Sequence, residues 1–389
     1  MINSIFIVNT SHDVILEKHY KSVIHRSVSP PLMIIEMLNR IVAIFTEYFD
    51  ECSDTTIKDN IVIVFEILDE ILDNGYPLCT EMNVLQDLIK PPNFLRSLKN
   101  HVTGETNISN VLPTGQLSNV PWRRADVKYA NNEAYFDVIE EIDAIIDKQG
   151  GTISAEIHGS INCCCRLSGM PDLTMTFANP RILDDVSFHP CVRFKRWETE
   201  RLLSFIPPDG NFRLISYNIS SQSVVAVPLY IRHNIVLKSG ASGRFEITVG
   251  PKQSMGKILE DVIIECQMPK AVQNCNLLAS HGKYSFDPTT KLLQWTIKRI
   301  ELGRPPTLKG TDPYFSVNPS LDTPLLSVSI APSSKGQLET PPIVAQFKIN
   351  QLAVSGLKVN RLDMHGEAYK PFKGVKYITK AGKFQFRTV

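Results

Sequence analysis

Ile153-Ser154-Ala155-Glu156-Ile157-His158-Gly159-Ser160-Ile161-Asn162-Cys163-Cys164-Cys165-Arg166-Leu167 decides the fold class of this chain. Ile153, Ala155, Ile157, Gly159, Ile161, Cys163, Cys165 and Leu167 alternate with Ser154, Glu156, His158, Ser160, Asn162, Cys164 and Arg166. A period of two puts one set on each face of an extended strand, which predicts a half-buried antiparallel strand. Comparable runs lie at 186–197, 211–219, 224–237, 262–268, 292–297 and 344–358. Many strands at short spacing, with turns at Pro207-Pro208-Asp209-Gly210 and Ser239-Gly240, predict an elongated antiparallel sandwich from Ala134 onward. Residues 303–341, rich in Pro, Ser and Gly, read as a long loop within it. The final sixteen residues, 374–389, read as two short strands in which valines, aromatics and Ile378 alternate with lysines. One face can then pack while the other stays basic, a pattern suited to an edge where a partner peptide docks.

Upstream of about residue 100 the period changes. Ile57, Ile61, Val64, Phe65, Leu68, Ile71 and Leu72 form one helical stripe closed by Asn74-Gly75, and residues 31–49 form another with Ile34, Leu38, Ile41, Phe45 and Tyr48 on a common side. A shorter helix spans 81–90, ended by Pro91-Pro92. Two strands, 2–8 and 14–18, precede these helices. A two-stranded hairpin is marginal in water, so the first region is expected to be weakly stable or incomplete. Residues 101–133 are polar, turn-rich and aperiodic, either a disordered spacer or a hinge.

With 389 residues, 43% hydrophobic, 21% charged and a net charge of +1, the chain is long enough for two or three cores, and nucleic acid is not the expected partner. No apolar run reaches the ~20 residues of a membrane-spanning helix, and the start lacks a basic signal-peptide region, so a cytosolic protein is expected. The eight cysteines are read as reduced: Cys163, Cys164 and Cys165 alternate between faces and cannot converge on one ion, and the other five lack paired short spacing. No cofactor or metal is expected.

No nucleophile elbow, phosphate-cradling loop or zinc-protease motif occurs, so no enzyme is expected. The nearest cluster, Asp184-Asp185 with His189, reads as a strand-entry turn with a partly packed histidine; a β-rich hydrolase using these residues is the minority alternative. Tyr135 and Asp137 share a strand face opposite Phe136 and Val138, so the carboxylate could accept a hydrogen bond from a phenol, although taken alone it reads first as a solvated strand aspartate.

The segments around these residues resemble the medium, or mu, subunits of clathrin-type adaptor complexes, and within that family the complex 3 branch. The likeness is carried by Trp122-Arg123-Arg124, Asn132-Glu133-Ala134-Tyr135-Phe136-Asp137-Val138, Leu167-Ser168-Gly169-Met170-Pro171-Asp172, Phe188-His189-Pro190-Cys191-Val192-Arg193, Phe205-Ile206-Pro207-Pro208-Asp209-Gly210-Asn211-Phe212, Ser355-Gly356-Leu357-Lys358-Val359 and Gly374-Val375-Lys376-Tyr377, in the family's order. The resemblance implies an α+β longin-like domain over 1–100 that lacks its first helix and remaining strands between Val28 and Pro30, a linker over 101–121, and over 122–389 an all-β antiparallel sandwich of two subdomains, the mu homology domain. It implies capture of Tyr-x-x-Φ signals, Φ being a bulky aliphatic residue, from cytosolic tails of membrane cargo. By resemblance Tyr135 lines the tyrosine pocket, Asp137 accepts the signal's hydroxyl proton, Val359, Leu362 and Val375 form the Φ pocket with Phe136, and Lys376 flanks the tyrosine ring. Gly374 stands where many members have tryptophan, Lys376 where they have arginine, and Cys164 replaces a basic residue, which implies a weaker or more discriminating aromatic platform.

The implied partners are two large adaptor subunits and one small subunit in a heterotetramer. That complex associates peripherally with the cytosolic face of Golgi, endosome and transport-vesicle membranes and sorts cargo toward lysosomes and related organelles. A stonin- or muniscin-type endocytic module is the other non-enzymatic alternative, though such proteins usually lack a helical first half.

Overall fold

The computed structural model describes residues 2–20, 31–92, 120, 122–124, 126–183, 185–220, 226–237, 244–252, 256–310, 327–330 and 342–388. The linker reading over 101–121 therefore falls almost wholly outside the described residues, as does Asp184. Contacts divide the chain into two compact units: Met1–Lys128 with Ser168–Met170 and Pro207–Gly210, and the remainder.

The first unit runs β1 (Ser4–Val8), β2 (Val14–His19), α1 (Pro31–Phe49), α2 (Asp54–Asp59), α3 (Ile61–Ile71), β3 (Leu72–Asp73), β4 (Tyr76–Pro77) and α4 (Met82–Leu88). Pro31 opens α1 at a position where its missing N–H costs nothing. The stripe read as one helix from Ile57 is two: Ser53 caps α2 by accepting from the Thr56 N–H at 3.3 Å, and the chain breaks at Asn60. Buried Met37, Ile41, Ile44, Phe45 and Tyr48 of α1 meet Ile63, Val64, Ile67, Leu68 and Ile71 of α3 in a core of the unit's own. Leu38, expected inside, is exposed and continues an outward apolar row of Leu32, Ile35 and Val42. Among the described residues its sheets are two-stranded pairs, β1 with β2 and β3 with β4. In this unit the fully buried Arg123 donates from Nε to the Gly169 carbonyl at 2.8 Å and from Nη1 to the Pro207 carbonyl at 3.1 Å, joining three of the motif segments.

The second unit is almost wholly β. Its strands are β5 (Glu133–Ile146), β6 (Thr152–Arg166), β7 (Asp172–Phe177), β8 (Asp185–Phe188), β9 (Leu203–Phe205), β10 (Gly210–Ile219), β11 (Leu229–Val236), β12 (Arg244–Pro251), β13 (Leu259–Gln267), β14 (Val272–Asn276), β15 (Leu278–Ala279), β16 (Lys283–Asp287), β17 (Leu292–Ile300), β18 (Thr307–Gly310), β19 (Ser327–Ile330), β20 (Ile343–Asn350), β21 (Val359–His365) and β22 (Phe372–Phe386). One helix, α5 (Phe194–Glu200), lies between β8 and β9. A nine-stranded sheet has the order β16-β17-β13-β20-β22-β5-β6-β10-β8; smaller sheets are β11-β12-β18-β15, β21-β7-β9 and β14-β19.

Several expectations change. The run 186–197 is strand only to Phe188; α5 follows, because Trp197 is buried against Phe177 and Phe188 when the segment coils, and Arg196 pairs with Glu200 one helical turn on at 3.0 Å. The run 344–358 stops as a strand at Asn350, where Gln351 turns with φ 59°. The loop read over 303–341 contains β18 and β19, and 311–326 and 331–341 lie outside the described residues. The terminal segment is one strand of fifteen residues rather than two short ones. The interruption near Gly382 is a register shift in which the Lys383 N–H donates to Asp143 Oδ1 at 2.7 Å. A Cβ on Gly382 would sit 2.1 Å from that oxygen. Nor is β22 an edge along its length: it lies between β20 and β5, and it runs antiparallel to β20 and parallel to β5.

Candidate peptide-binding edge

Strand alternation on β5 buries Ala134, Phe136 and Val138 and turns Tyr135 and Asp137 outward. The register carries this across three strands. Tyr135 lies opposite Cys164 of β6 and Gly374 of β22, and Asp137 opposite Asn162 and Lys376. Tyr135, Asp137, Cys164, Gly374 and Lys376 thus share one face, while Val375, opposite Phe136, belongs to the other. Phe136 has no exposed surface and packs 6.5 Å from Phe205, so it backs that second face from within the core rather than lining a pocket. Val359 and Leu362, on β21, are half-buried. Two hydrogen bonds link β21 to β22 among the described residues: the Val359 N–H donates to Tyr377 Oη at 2.9 Å, and Lys373 Nζ donates to the Leu362 carbonyl.

The edge itself is half open. β20 pairs with β22 from Ile378 onward, and the Gln351 N–H takes the Tyr377 carbonyl at 2.8 Å. The Phe372 N–H donates toward β5, to the Asn132 carbonyl at 2.9 Å. Main-chain groups alternate direction along a strand, so Phe372, Gly374 and Lys376 bond toward β5, and Lys373 and Val375 point theirs away from it. Among the described residues no strand pairs with those two on that side.

The electrostatics of the tyrosine face are simple. Among the described residues Asp137 makes no hydrogen bond or ion pair. The hydroxyl of Tyr135 donates to Glu133 Oε2 at 3.0 Å, and that bond raises its pKa. Glu133 also lies 3.7 Å from Arg166. The Asp137 carboxylate therefore stays open to a phenol from elsewhere. Phe372 is exposed beside Tyr135 on this face; its parity with Gly374 and Lys376 was the available signal.

Sequence reasoning also missed a buried node behind the edge. Glu140, fully buried, accepts from Tyr217 Oη at 2.8 Å, from the Ser355 N–H at 3.0 Å and from Ser355 Oγ at 2.5 Å. Burial first, and then the neighbouring carboxylate, push the Tyr217 phenol pKa far up. Gly159 lies opposite Glu140, and a Cβ there would fall 2.1 Å from the Tyr217 ring. Ser355 belongs to the turn that launches β21, so the node anchors the strand carrying Val359 and Leu362. The parity of Glu140 with Ala134, Phe136 and Val138 was its only sequence signal.

Of the Asp184, Asp185 and His189 cluster, Asp184 lies outside the described residues, and the other two side chains meet different neighbours. Asp185 accepts from Asn218 Nδ2 at 3.2 Å beside a cavity of about 310 Å³ lined in part by His158, Arg213 and Asn218. His189 is buried against Phe212 and its Nδ1 accepts the Cys191 N–H at 3.1 Å. Among the described residues no cluster of three His, Cys, Asp or Glu can hold a metal ion, and no helix is long and apolar enough to cross a membrane. Cys163 and Cys165 are buried while Cys164 faces the other side.

Residues 120–388 match the model of the adaptor complexes medium subunit family. The chain is 54% identical over 434 aligned positions, covering all of both chains, to AP-3 complex subunit mu-1 of Gallus gallus, and equally to AP-3 complex subunit mu-2 of Homo sapiens. That alignment is longer than the 389 residues present, so it opens gaps on this chain's side. In structure the chain is similar, at a TM-score of 0.62 with 18% identity and 99% of each chain covered, to a chain in a homology model of the full-length AP-3 complex in an intermediate open conformation, which supports the fold. The chain belongs to the adaptor complexes medium subunit family, and its full-length relatives there are AP-3 mu subunits.

Proposed function

We propose that this chain is the cargo-reading medium subunit of a heterotetrameric vesicle-coat adaptor, capturing Tyr-x-x-Φ signals as a strand added to the open half of β22. The observation that carries the reading is the pair of edge residues, Lys373 and Val375, that no strand among the described residues pairs on their outer side, between two chemically different faces. An extended peptide bonds to an open edge through its main chain, and its alternate side chains enter opposite faces. Positions i and i+3 of a strand differ in parity, so a signal tyrosine on the Asp137 face sends Φ to the Val375, Val359 and Leu362 face.

Direction follows from length. With the tyrosine opposite Lys376, a peptide parallel to β22 would run into β20, whereas an antiparallel one advances over Val375 and Gly374 to put Φ opposite Lys373, where Leu362 stands. Asp137 accepts the phenol, and Lys376 lies beside the ring.

The chain works in this reading with two large subunits and one small subunit, without a cofactor or catalysis, at the cytosolic face of Golgi, endosome and transport-vesicle membranes, routing cargo toward lysosomes. Its full-length relatives being named AP-3 complex subunits supports assembly. So does the outward apolar row of Leu32, Ile35, Leu38 and Val42, a surface a large subunit would cover. The helical first unit sets it apart from the stonin and muniscin layout.

The test is titration of the chain with a Tyr-x-x-Leu peptide. Asp137→Ser should weaken binding at least tenfold while leaving the circular dichroism spectrum unchanged, because a hydrogen bond to a charged acceptor contributes about 1.5–3 kcal/mol. An unchanged dissociation constant would remove Asp137 from the site.

A further inference from the structure

Charge separates the open strand edges of this chain. The open half of β22 carries Lys373 and Lys376, so two copies brought edge to edge there would repel. β1, Ser4-Ile5-Phe6-Ile7-Val8, carries neither a charge nor a proline, the devices that keep a sheet edge from pairing with its own kind. β2, the other strand of the hairpin, has Glu17, Lys18 and His19.

Hydrogen bonds at the two ends of β1 fix which of its main-chain groups are open. The Asn3 carbonyl accepts the Tyr20 N–H at 2.9 Å and the Asn9 N–H donates to the Asp13 carbonyl at 3.0 Å, so odd-numbered residues bond toward β2. Ile2 turns the other way, donating to the Gly75 carbonyl at 3.0 Å. Ser4, Phe6 and Val8 follow Ile2, and among the described residues no strand pairs with β1 on that side. Their side chains lie on the face away from the core: Phe6 is 53% and Val8 54% exposed, whereas Ile5 is buried. His19 steadies that face, 2.7 Å from Ser4 Oγ and 2.6 Å from Glu17 Oε1, with its ring edge-on to Phe6 at 5.9 Å.

We infer that β1 is a self-association edge, at which two copies of this chain pair β1 against β1, antiparallel, about a two-fold axis at Phe6. Phe6 then lies opposite the partner's Phe6, and Ser4 opposite the partner's Val8, each pair exchanging both main-chain bonds. The two Phe6 rings cover one another at the axis, and no charged side chain meets its own image, because Glu17 stands on the far side of Phe6 in each hairpin. A charged peptide would find no counter-charge on this edge, which leaves an identical neutral strand as the occupant that fits. Two marginal hairpins become one four-stranded sheet, so the association stabilises the element that has fewest strands of its own.

Sedimentation of the full chain between about 1 and 100 μM should show a monomer passing to a dimer and to nothing larger, because a two-fold pair closes on itself. Phe6→Pro deletes an N–H that faces away from β2 and should raise the dimer dissociation constant at least tenfold while leaving the helical circular dichroism unchanged. Phe6→Lys and Phe6→Glu, each alone, set like charges at the axis and should stay monomeric; mixed in equal amounts they should pair. That rescue separates a lost edge from a lost fold. Val375→Pro, on the other open edge, should leave the dimer intact. A chain that is monomeric throughout the range, a dimer that survives Phe6→Pro and Phe6→Lys or dissolves in Val375→Pro, a species larger than a dimer, or a failed rescue between the two folded charge variants overturns the inference.

Discussion

Glu140 shows how one residue behind the groove ties stability to function. Its carboxylate is fully buried with no cation partner among the described residues, and three donors hold it: the Tyr217 hydroxyl and both the N–H and the hydroxyl of Ser355. A carboxylate removed from water needs such donors, since each one lost leaves lone pairs unsatisfied in a low-dielectric interior. Ser355→Ala should therefore destabilise the second unit by about 1–3 kcal/mol, read as a lower urea midpoint of tryptophan emission. The Ser355 hydroxyl also accepts the Leu357 N–H at 3.0 Å, so the same change loosens the turn that launches β21. A midpoint shift below about 0.5 kcal/mol would mean the carboxylate finds solvent instead, and that the node is not closed.

At the scale of the element, β22 does two jobs along one strand, and where β20 ends divides them. From Ile378 on it is an interior strand; before that no strand among the described residues pairs with the outer N–H and C=O groups at Lys373 and Val375. Proline is tolerated in a sheet where the N–H it deletes faces away from a neighbour. Val375→Pro should then leave the melting temperature within a few degrees while weakening Tyr-x-x-Φ peptides at least tenfold; Gly374→Pro, whose N–H points toward β5, should cost stability as well. Equal losses of stability in both would show that the outer edge is already paired. Alternation made much of this legible: the faces of 133–139 and 153–167 follow from parity, and the pairing of residues on β5 with residues on β22 was implied by family likeness. Alternation cannot say which strands become neighbours, so the parallel pairing of β22 with β5 and the length of its open half had no local signal. The helix at 194–200 was hidden for the same reason, since its burial of Trp197 depends on Phe177 and Phe188 brought from elsewhere.

At the scale of the whole molecule, the two units differ in what holds them. The first has its own apolar core drawn from residues 2–89, but its described sheets are two-stranded, and a row on α1 stays exposed. The second carries a nine-stranded sheet, and Phe136, Trp295, Phe245 and Phe384 are among its fully buried side chains. Short sheets with little long-range pairing lie at the low end of local stability, so unfolding of the isolated chain should proceed in two steps with the first unit leading. The probes separate the units once Trp122, the first unit's tryptophan, is replaced by phenylalanine: among the described residues most of the helix is α1 to α4, while the buried Trp197 and Trp295 lie in the second unit. Ellipticity at the helical band should thus be lost at lower urea than the shift of buried tryptophan emission. Addition of the large adaptor subunits, by covering the α1 row, should move only the first transition upward, because a partner that binds only the folded form stabilises it by mass action. Coincident transitions in the isolated chain would show that the first unit is held as firmly as the sheet, and the incomplete character read from its hairpin would have no energetic consequence.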